Sequence, residues 1–238
     1  MKKNKMFIIV FAAIVGIFFS SCTKWLDNDD NNYADYKAWG TITCFKSSND
    51  FMIITDDSLK LVPLNTSQLS DYKPIDGQRV EVLYSIDKEQ SSVYSDPKQY
   101  NVNIFSIDDI LTKDILQTNQ IDTVAKDGID PISIWISNNI YTNRKYINIY
   151  FKVLTSNLKP HLIYLVSDAS KNPIDEEGYY NLEFRHNANG DDYGYYAQGK
   201  VSFLLNEEII ADNVKGIRMK IYPIADNIPS EYIINYSK

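Results

Sequence analysis

The stretch Tyr146-Ile147-Asn148-Ile149-Tyr150-Phe151-Lys152-Val153 changes character at every step. A period of two sends Ile147, Ile149, Phe151 and Val153 to one face of an extended chain. Asn148, Tyr150 and Lys152 go to the other. β-Branched and aromatic residues fill the positions, so the stretch reads as a strand with one face on a core. The same texture continues on both sides. Ile132 to Ile136, His161 to Val166, Tyr179 to His186, Tyr195 to Leu205 and Gly216 to Tyr222 also read as strands. Turn clusters separate them: Ser137-Asn138-Asn139, Asn157-Leu158-Lys159-Pro160, Asn187 to Asp192, and Asn206-Glu207-Glu208. Short strands at this spacing predict an antiparallel β-sandwich over residues 128–238.

Upstream lies a second group of strands. Gly40 to Phe45 is one. Phe51 to Thr55 and Leu59 to Val62 flank Asp56-Asp57-Ser58, a hairpin signal. Val80 to Ile86 and Tyr100 to Phe105 alternate as well. A five-stranded set closes into a small barrel more readily than it stays open, because closure removes the edges. The barrel is placed at 38–106. The connector, 107–127, carries apolar residues at helical spacing from Asp108 to Leu116, which predicts a short helix there. The fold class is therefore all-β, a small five-stranded barrel followed by an antiparallel β-sandwich.

The N-terminus has another logic. Met1-Lys2-Lys3-Asn4-Lys5 is basic, Met6 to Phe19 is uncharged and apolar, and Ser20-Ser21-Cys22 follows. Residues 1–21 read as a signal peptide, since the apolar run is short for a membrane span. Cys22 after two small residues resembles the lipobox cysteine of bacterial lipoproteins, which is acylated and becomes the new N-terminus. Acyl chains at about 0.8 kcal/mol per buried CH₂ would hold the protein on the membrane. Residues 22–37 form a polar tether with the run Asp27-Asn28-Asp29-Asp30-Asn31-Asn32. An acidic run in this place resembles the surface-export signal of lipoproteins from gut anaerobes. The expected location is the outer membrane, lipid-anchored at Cys22, at the cell surface.

Charge and composition exclude several classes. The 238-residue chain carries net charge −7, and loss of Lys2, Lys3 and Lys5 with the export segment lowers this to −10. Such a chain is a poor partner for nucleic acid. Two histidines and two cysteines argue against a zinc site and a disulfide framework, and Cys44 is expected to be a small buried hydrophobe in a strand. No Gly-x-Ser-x-Gly, His-Glu-x-x-His, phosphate loop or dinucleotide fingerprint occurs. A non-catalytic protein without metal or cofactor is expected.

A family resemblance becomes visible on several segments taken in order. They are the lipid cysteine, Gly77-Gln78-Arg79-Val80-Glu81-Val82, Ile110-Leu111-Thr112-Lys113-Asp114, Gly128-Ile129-Asp130-Pro131-Ile132, the alternating strand from Tyr146, and Leu182-Glu183-Phe184-Arg185-His186-Asn187-Ala188-Asn189-Gly190-Asp191. Together they resemble the NigD-like lipoproteins of gut and oral anaerobes. Gly128-Ile129-Asp130-Pro131 departs from the Gly-Asn-Asp-Pro expected at that point. The resemblance implies an N-terminal OB-type barrel and a C-terminal β-sandwich. It suggests an immunity or accessory role through the bacteriocin gene cluster behind the family's name, and brings no catalytic residues.

Candidate binding residues are few. Trp39, Trp135 and the 18 tyrosines suit stacking on sugars or contact with a protein. In the segment Leu182 to Asp192, His186 with Asp191 or Asp192 could form a metal or acid/base pair, but a site needs more convergent groups, and His186 reads better as a strand-end residue before an Asn189-Gly190 turn. His161, at a strand start, reads as structural. Calcium binding by Asn187, Asn189, Asp191 and Asp192 fails on the position of the glycine. Asp57-Ser58-Leu59 and Asp122-Thr123-Val124 resemble the acceptor for O-glycosylation of exported proteins in such bacteria, so Ser58 and Thr123 are expected modification sites. The expected partners are the membrane, through Cys22, and an envelope protein or, alternatively, an oligosaccharide for an uptake system.

Overall fold

The computed structural model describes residues 34–44, 50–69, 71–91, 95–139, 141–226 and 228–236. The segment expected to be a signal peptide, residues 1–21, the expected lipid site Cys22 and most of the expected tether lie outside the described residues.

Five strands close into a barrel: β1 (Tyr36–Cys44), β2 (Phe51–Thr55), β3 (Lys60–Pro63), β4 (Arg79–Ile86) and β5 (Gln99–Asp109). Their order around the barrel is β1-β2-β3-β5-β4. The alternation read from the sequence fills the interior, where Ile42, Ile53, Leu61, Val80, Val82 and Val102 are fully buried. Gly40 is required on β1, because a Cβ there would stand 2.6 Å from Ile53 Cγ2 and 2.8 Å from the Ile54 carbonyl oxygen. A short α1 turn (Lys88–Ser91) leads from β4 toward β5.

The expected helix over Asp108–Leu116 is replaced by strands. After β5 come β6 (Leu111–Asp114) and β7 (Leu116–Thr118), and a short 3-10 turn appears only at Ile121–Thr123. The two strands part at Ile115, which packs into the sandwich core. β6 pairs in parallel with β12, and β7 pairs in parallel with β10. Apolar residues spaced for a helix serve here as two short strands that enter opposite layers. Partners far along the chain decide the conformation, which local periodicity does not register.

The sandwich comprises β8 (Asp130–Asn139), β9 (Arg144–Thr155), β10 (Leu162–Asp168), β11 (Tyr179–Asn187), β12 (Tyr195–Leu205), β13 (Gly216–Ile221) and β14 (Ser230–Asn235), joined by β6 and β7. One sheet has the order β6-β12-β9-β8 and the other β14-β13-β11-β10-β7. The layers are not purely antiparallel, since β11 and β13 also run parallel. Ile147, Ile149, Phe151 and Val153 face inward as their alternation requires. Phe184, fully buried, meets Phe151 and Phe203 edge-on at 5.8 and 6.3 Å between ring centres. Pro131 sits on the edge strand β8 beside a bulge, where its missing N–H costs no ladder bond.

Candidate functional site at the barrel–sandwich junction

The outward faces of β1 and β4 carry the polar half of their alternation. The register pairs Thr41 with Arg79 and Trp39 with Glu81, so Lys37, Trp39, Thr41, Arg79 and Glu81 share one outer barrel surface. The outer face of the β6-β12-β9-β8 sheet is built the same way. Trp135 pairs with Asn148, Ser202 with Asn148, and Lys200 with Tyr150. The barrel rests against this sheet face, and side chains that a strand pattern assigns to solvent meet at the junction.

Arg79 is the centre. Its side chain is 1% exposed, and all five guanidinium N–H donors find acceptors. Nη1 and Nη2 grip Asp56 Oδ1 and Oδ2 at 2.7 and 2.8 Å. Nη1 also donates to Thr41 Oγ1 at 3.1 Å, Nη2 to Asn148 Oδ1 at 3.0 Å, and Nε to Ser202 Oγ at 3.4 Å. The Tyr146 ring lies 5.1 Å away. Fork-to-fork pairing of this kind is among the stronger protein ion pairs, and the bonds from the same guanidinium to Asn148 and Ser202 carry it across to the sandwich. Trp135 Nε1 donates to Asp56 Oδ2 at 2.8 Å, so the β2–β3 turn that carries Asp56 is held from the sandwich side as well.

A second network lies beside it. Trp39 Nε1 donates to Glu81 Oε2 at 2.9 Å. Lys200 and Lys37 reach Glu81 Oε1 at 2.6 and 2.9 Å. Burial pushes the Glu81 carboxyl up, but the bonds from Lys200, Lys37 and Trp39 outweigh it and hold the group below the ordinary range. Trp39 and Trp135 touch edge to face, 4.6 Å between ring centres. The two tryptophans singled out in the sequence thus come together across the junction. Their N–H groups are committed to carboxylates, so they serve as the wall of the site.

Beyond the tryptophans the sheet face opens to solvent as a shelf of Tyr150, Lys152, Tyr196, Gln198 and Ser133. Tyr150 donates its hydroxyl to Gln198 Oε1, and Lys152 lies 5.0 Å from the Tyr196 ring centre. Tyr196 is 61% exposed. Lys152 also pairs with Asp130 Oδ2 at 3.4 Å.

The other candidates stand elsewhere. His186 and Asp191 are buried on the sandwich, whereas Asp192 is exposed. His186 contacts His161 instead of either aspartate, with Nε2 2.8 Å from His161 Nδ1. Among the described residues no cluster of three or more His, Cys, Asp and Glu side chains could hold a metal. Ser58 occupies a tight turn at φ 68°, and Thr123 is exposed with its hydroxyl donated to the Gln120 carbonyl. Cys44, at the end of β1, is half-buried rather than fully enclosed, and burial raises its thiol. Asp56, Arg79, Glu81, Asn148, Lys200 and Ser202 were invisible as site residues, because a polar residue in a turn or on the outward face of a strand reads as solvated. Only Arg79-Val80-Glu81, two opposite charges on the same face of a strand, hints at them.

Comparison with known proteins agrees with this architecture. Residues 40–110 match the NigD-like N-terminal OB domain, and residues 113–236 match the NigD-like C-terminal beta sandwich domain. Three solved structures are similar over most of the chain. One is a protein of unknown function from Bacteroides vulgatus, 21% identical, with TM-score 0.67, covering 85% of this chain and 90% of that one. Another is described as toxin-related and comes from Parabacteroides distasonis, at 25% identity and TM-score 0.63, covering 85% of this chain and 93% of that one. A third is a NigD-like immunity protein from Bacteroides caccae, at 20% identity and TM-score 0.59, covering 82% of this chain and 90% of that one. No curated protein matches. With both domain models matched in order across most of its length, the chain belongs to the NigD-like family.

Proposed function

We propose that this protein is a non-catalytic binding protein of the cell envelope, held at the outer surface by lipid on Cys22, which engages an envelope protein in an immunity-type or accessory role. The observation that carries the reading is the junction. Arg79, Asp56, Trp135, Glu81 and Lys200 fix the barrel against the sandwich, and beside them the sandwich sheet presents the shelf of Tyr150, Lys152, Tyr196 and Gln198. A preformed surface needs little ordering on contact, which favours recognition. Tyrosine with lysine suits the core and rim of a protein interface. The likeness to a protein described as toxin-related and to an immunity protein supports the same direction.

The test is a crosslinked pull-down of the native lipidated protein from its own membranes, read by mass spectrometry. One envelope protein enriched near stoichiometry, and lost from a Tyr196→Ala/Lys200→Ala variant, is expected. Recovery of the lipoprotein alone would overturn the protein-binding reading. An oligosaccharide is the second reading, favoured by the exposed ring of Tyr196 on the shelf, at 61%. Cys22→Ala should release the folded body from the membrane once the signal peptide is cleaved.

A further inference from the structure

The chain has two histidines, and they touch. His186, at the end of β11, is 1% exposed, and its ring centre lies 4.9 Å from that of His161. His186 Nδ1 stands 3.0 Å from the Gly128 carbonyl oxygen. A carbonyl only accepts, so Nδ1 carries the hydrogen and Nε2 of the neutral ring holds a lone pair. That lone pair accepts from His161 Nδ1–H at 2.8 Å. The remaining nitrogen of a neutral His161 pair, Nε2, is then bare.

This nitrogen is sealed from solvent and makes no hydrogen bond. It faces Asp191 Oδ2 at 3.5 Å. Asp191 is 1% exposed and accepts from Thr155 Oγ1, the Ser156 amide and hydroxyl, and the Leu158 amide. In the neutral state two lone pairs oppose each other in a buried place, which is unfavourable. One proton on His161 Nε2 removes the conflict. The chain then runs donor to acceptor throughout, from His161 to Asp191 at one end and through His186 to Gly128 at the other. A second proton finds no acceptor, since it would set two N–H groups against each other between the rings. The other charged groups around the pair are Asp127, which accepts from the Ala188 amide, exposed Asp192, and Lys159, whose ammonium is tied to the Asn189 carbonyl.

We propose that His161 and His186 form a one-proton site that ties three segments of the sandwich tip together: residues 127–128, the turn 155–161 and the loop 186–192. Asp191 is the hinge of this tip. It shapes the turn that carries Leu158, 74% exposed, beside Tyr193 and Tyr195, 54% and 55% exposed. The proton is bound by the folded tip and has no such partner in an unfolded chain. The tightening is therefore present when the pair holds that proton and absent when it does not. Burial pushes the His186 imidazole down, in keeping with His186 staying neutral while the charge resides on His161. The tip is a surface that the envelope's pH can stiffen, independent of the shelf at the junction.

Long-range proton–nitrogen NMR of the imidazoles in the full chain in detergent tests this. His186 should stay an Nδ1–H tautomer, and His161 should gain a second N–H in a single titration. Two independent titrations, or a His186 Nε2–H tautomer, would overturn it. Hydrogen exchange gives the second reading. After correction for intrinsic rates, the amide of Leu158 should be several-fold better protected at pH 5.5 than at pH 8. His161→Gln should abolish that dependence while leaving the fold. Equal protection at both pH values in the unmodified protein would contradict the proposal.

Discussion

Trp135 of the sandwich donates its indole N–H to the Asp56 carboxylate of the barrel at 2.8 Å, across 79 residues of chain. The same carboxylate receives both ends of the Arg79 guanidinium. One barrel-turn residue therefore fixes a buried cation and the partner domain together, and the stability of the junction should depend on it.

Asp56→Ala leaves Arg79 buried without its counter-charge. Removing one partner of a buried pair costs about 3–5 kcal/mol. Chemical denaturation should show a loss of that order. The double variant Asp56→Ala/Arg79→Met should recover much of it, because no uncompensated charge remains. Equal losses in the single and double variants would mean that the pair is not coupled as described.

Glu81 makes the junction acid-sensitive. Its folded pKa lies below the ordinary value near about 4.3, so it stabilises the fold above that value. The contribution fades as pH falls through the depressed folded pKa. Thermal melts between pH 5 and pH 2 should show a steeper decline in the native protein than in Glu81→Gln. Parallel curves would remove Glu81 from the account.

Gly216→Ala should loosen β14. A Cβ at this position would stand 2.2 Å from the Ile234 carbonyl oxygen and 2.9 Å from Asn235 Cα, both backbone atoms. Backbone cannot rotate aside, so overpacking of about 1–3 kcal/mol is expected, with faster hydrogen exchange over residues 230–235. Gly190→Ala meets only the flexible Lys159 ammonium at 3.6 Å, and strain from its φ of 74° is the main cost there, about 1–2 kcal/mol.

Phe184→Ala removes the ring that joins Phe151 and Phe203 in the sandwich core. A loss of about 3–5 kcal/mol is expected, visible as a lower denaturation midpoint with unchanged slope.

The core was legible in the sequence because alternation and burial are the same fact seen twice. Ile147, Ile149, Phe151 and Val153 point inward as their spacing demands, and five upstream strands do close into a barrel. The segment Leu111 to Thr118 was not legible. Its conformation is set by β12 and β10, which lie far along the chain. The junction was half legible. Trp39 and Trp135 stood out by rarity, but nothing local reveals that Arg79 and Asn148 share a hydrogen bond across 69 residues. The histidines likewise read as two separate strand-end residues, and only the fold shows them as one pair.

The most direct measurement is site-specific photocrosslinking of the protein in its own cells. A benzophenone side chain replaces Gln198 on the shelf in one preparation and Tyr232 on the distal β14 in another. The account predicts one envelope protein crosslinked through position 198 and none through position 232. Crosslinking through position 232 alone, or equally through both, would contradict the claim that the junction shelf is the binding surface.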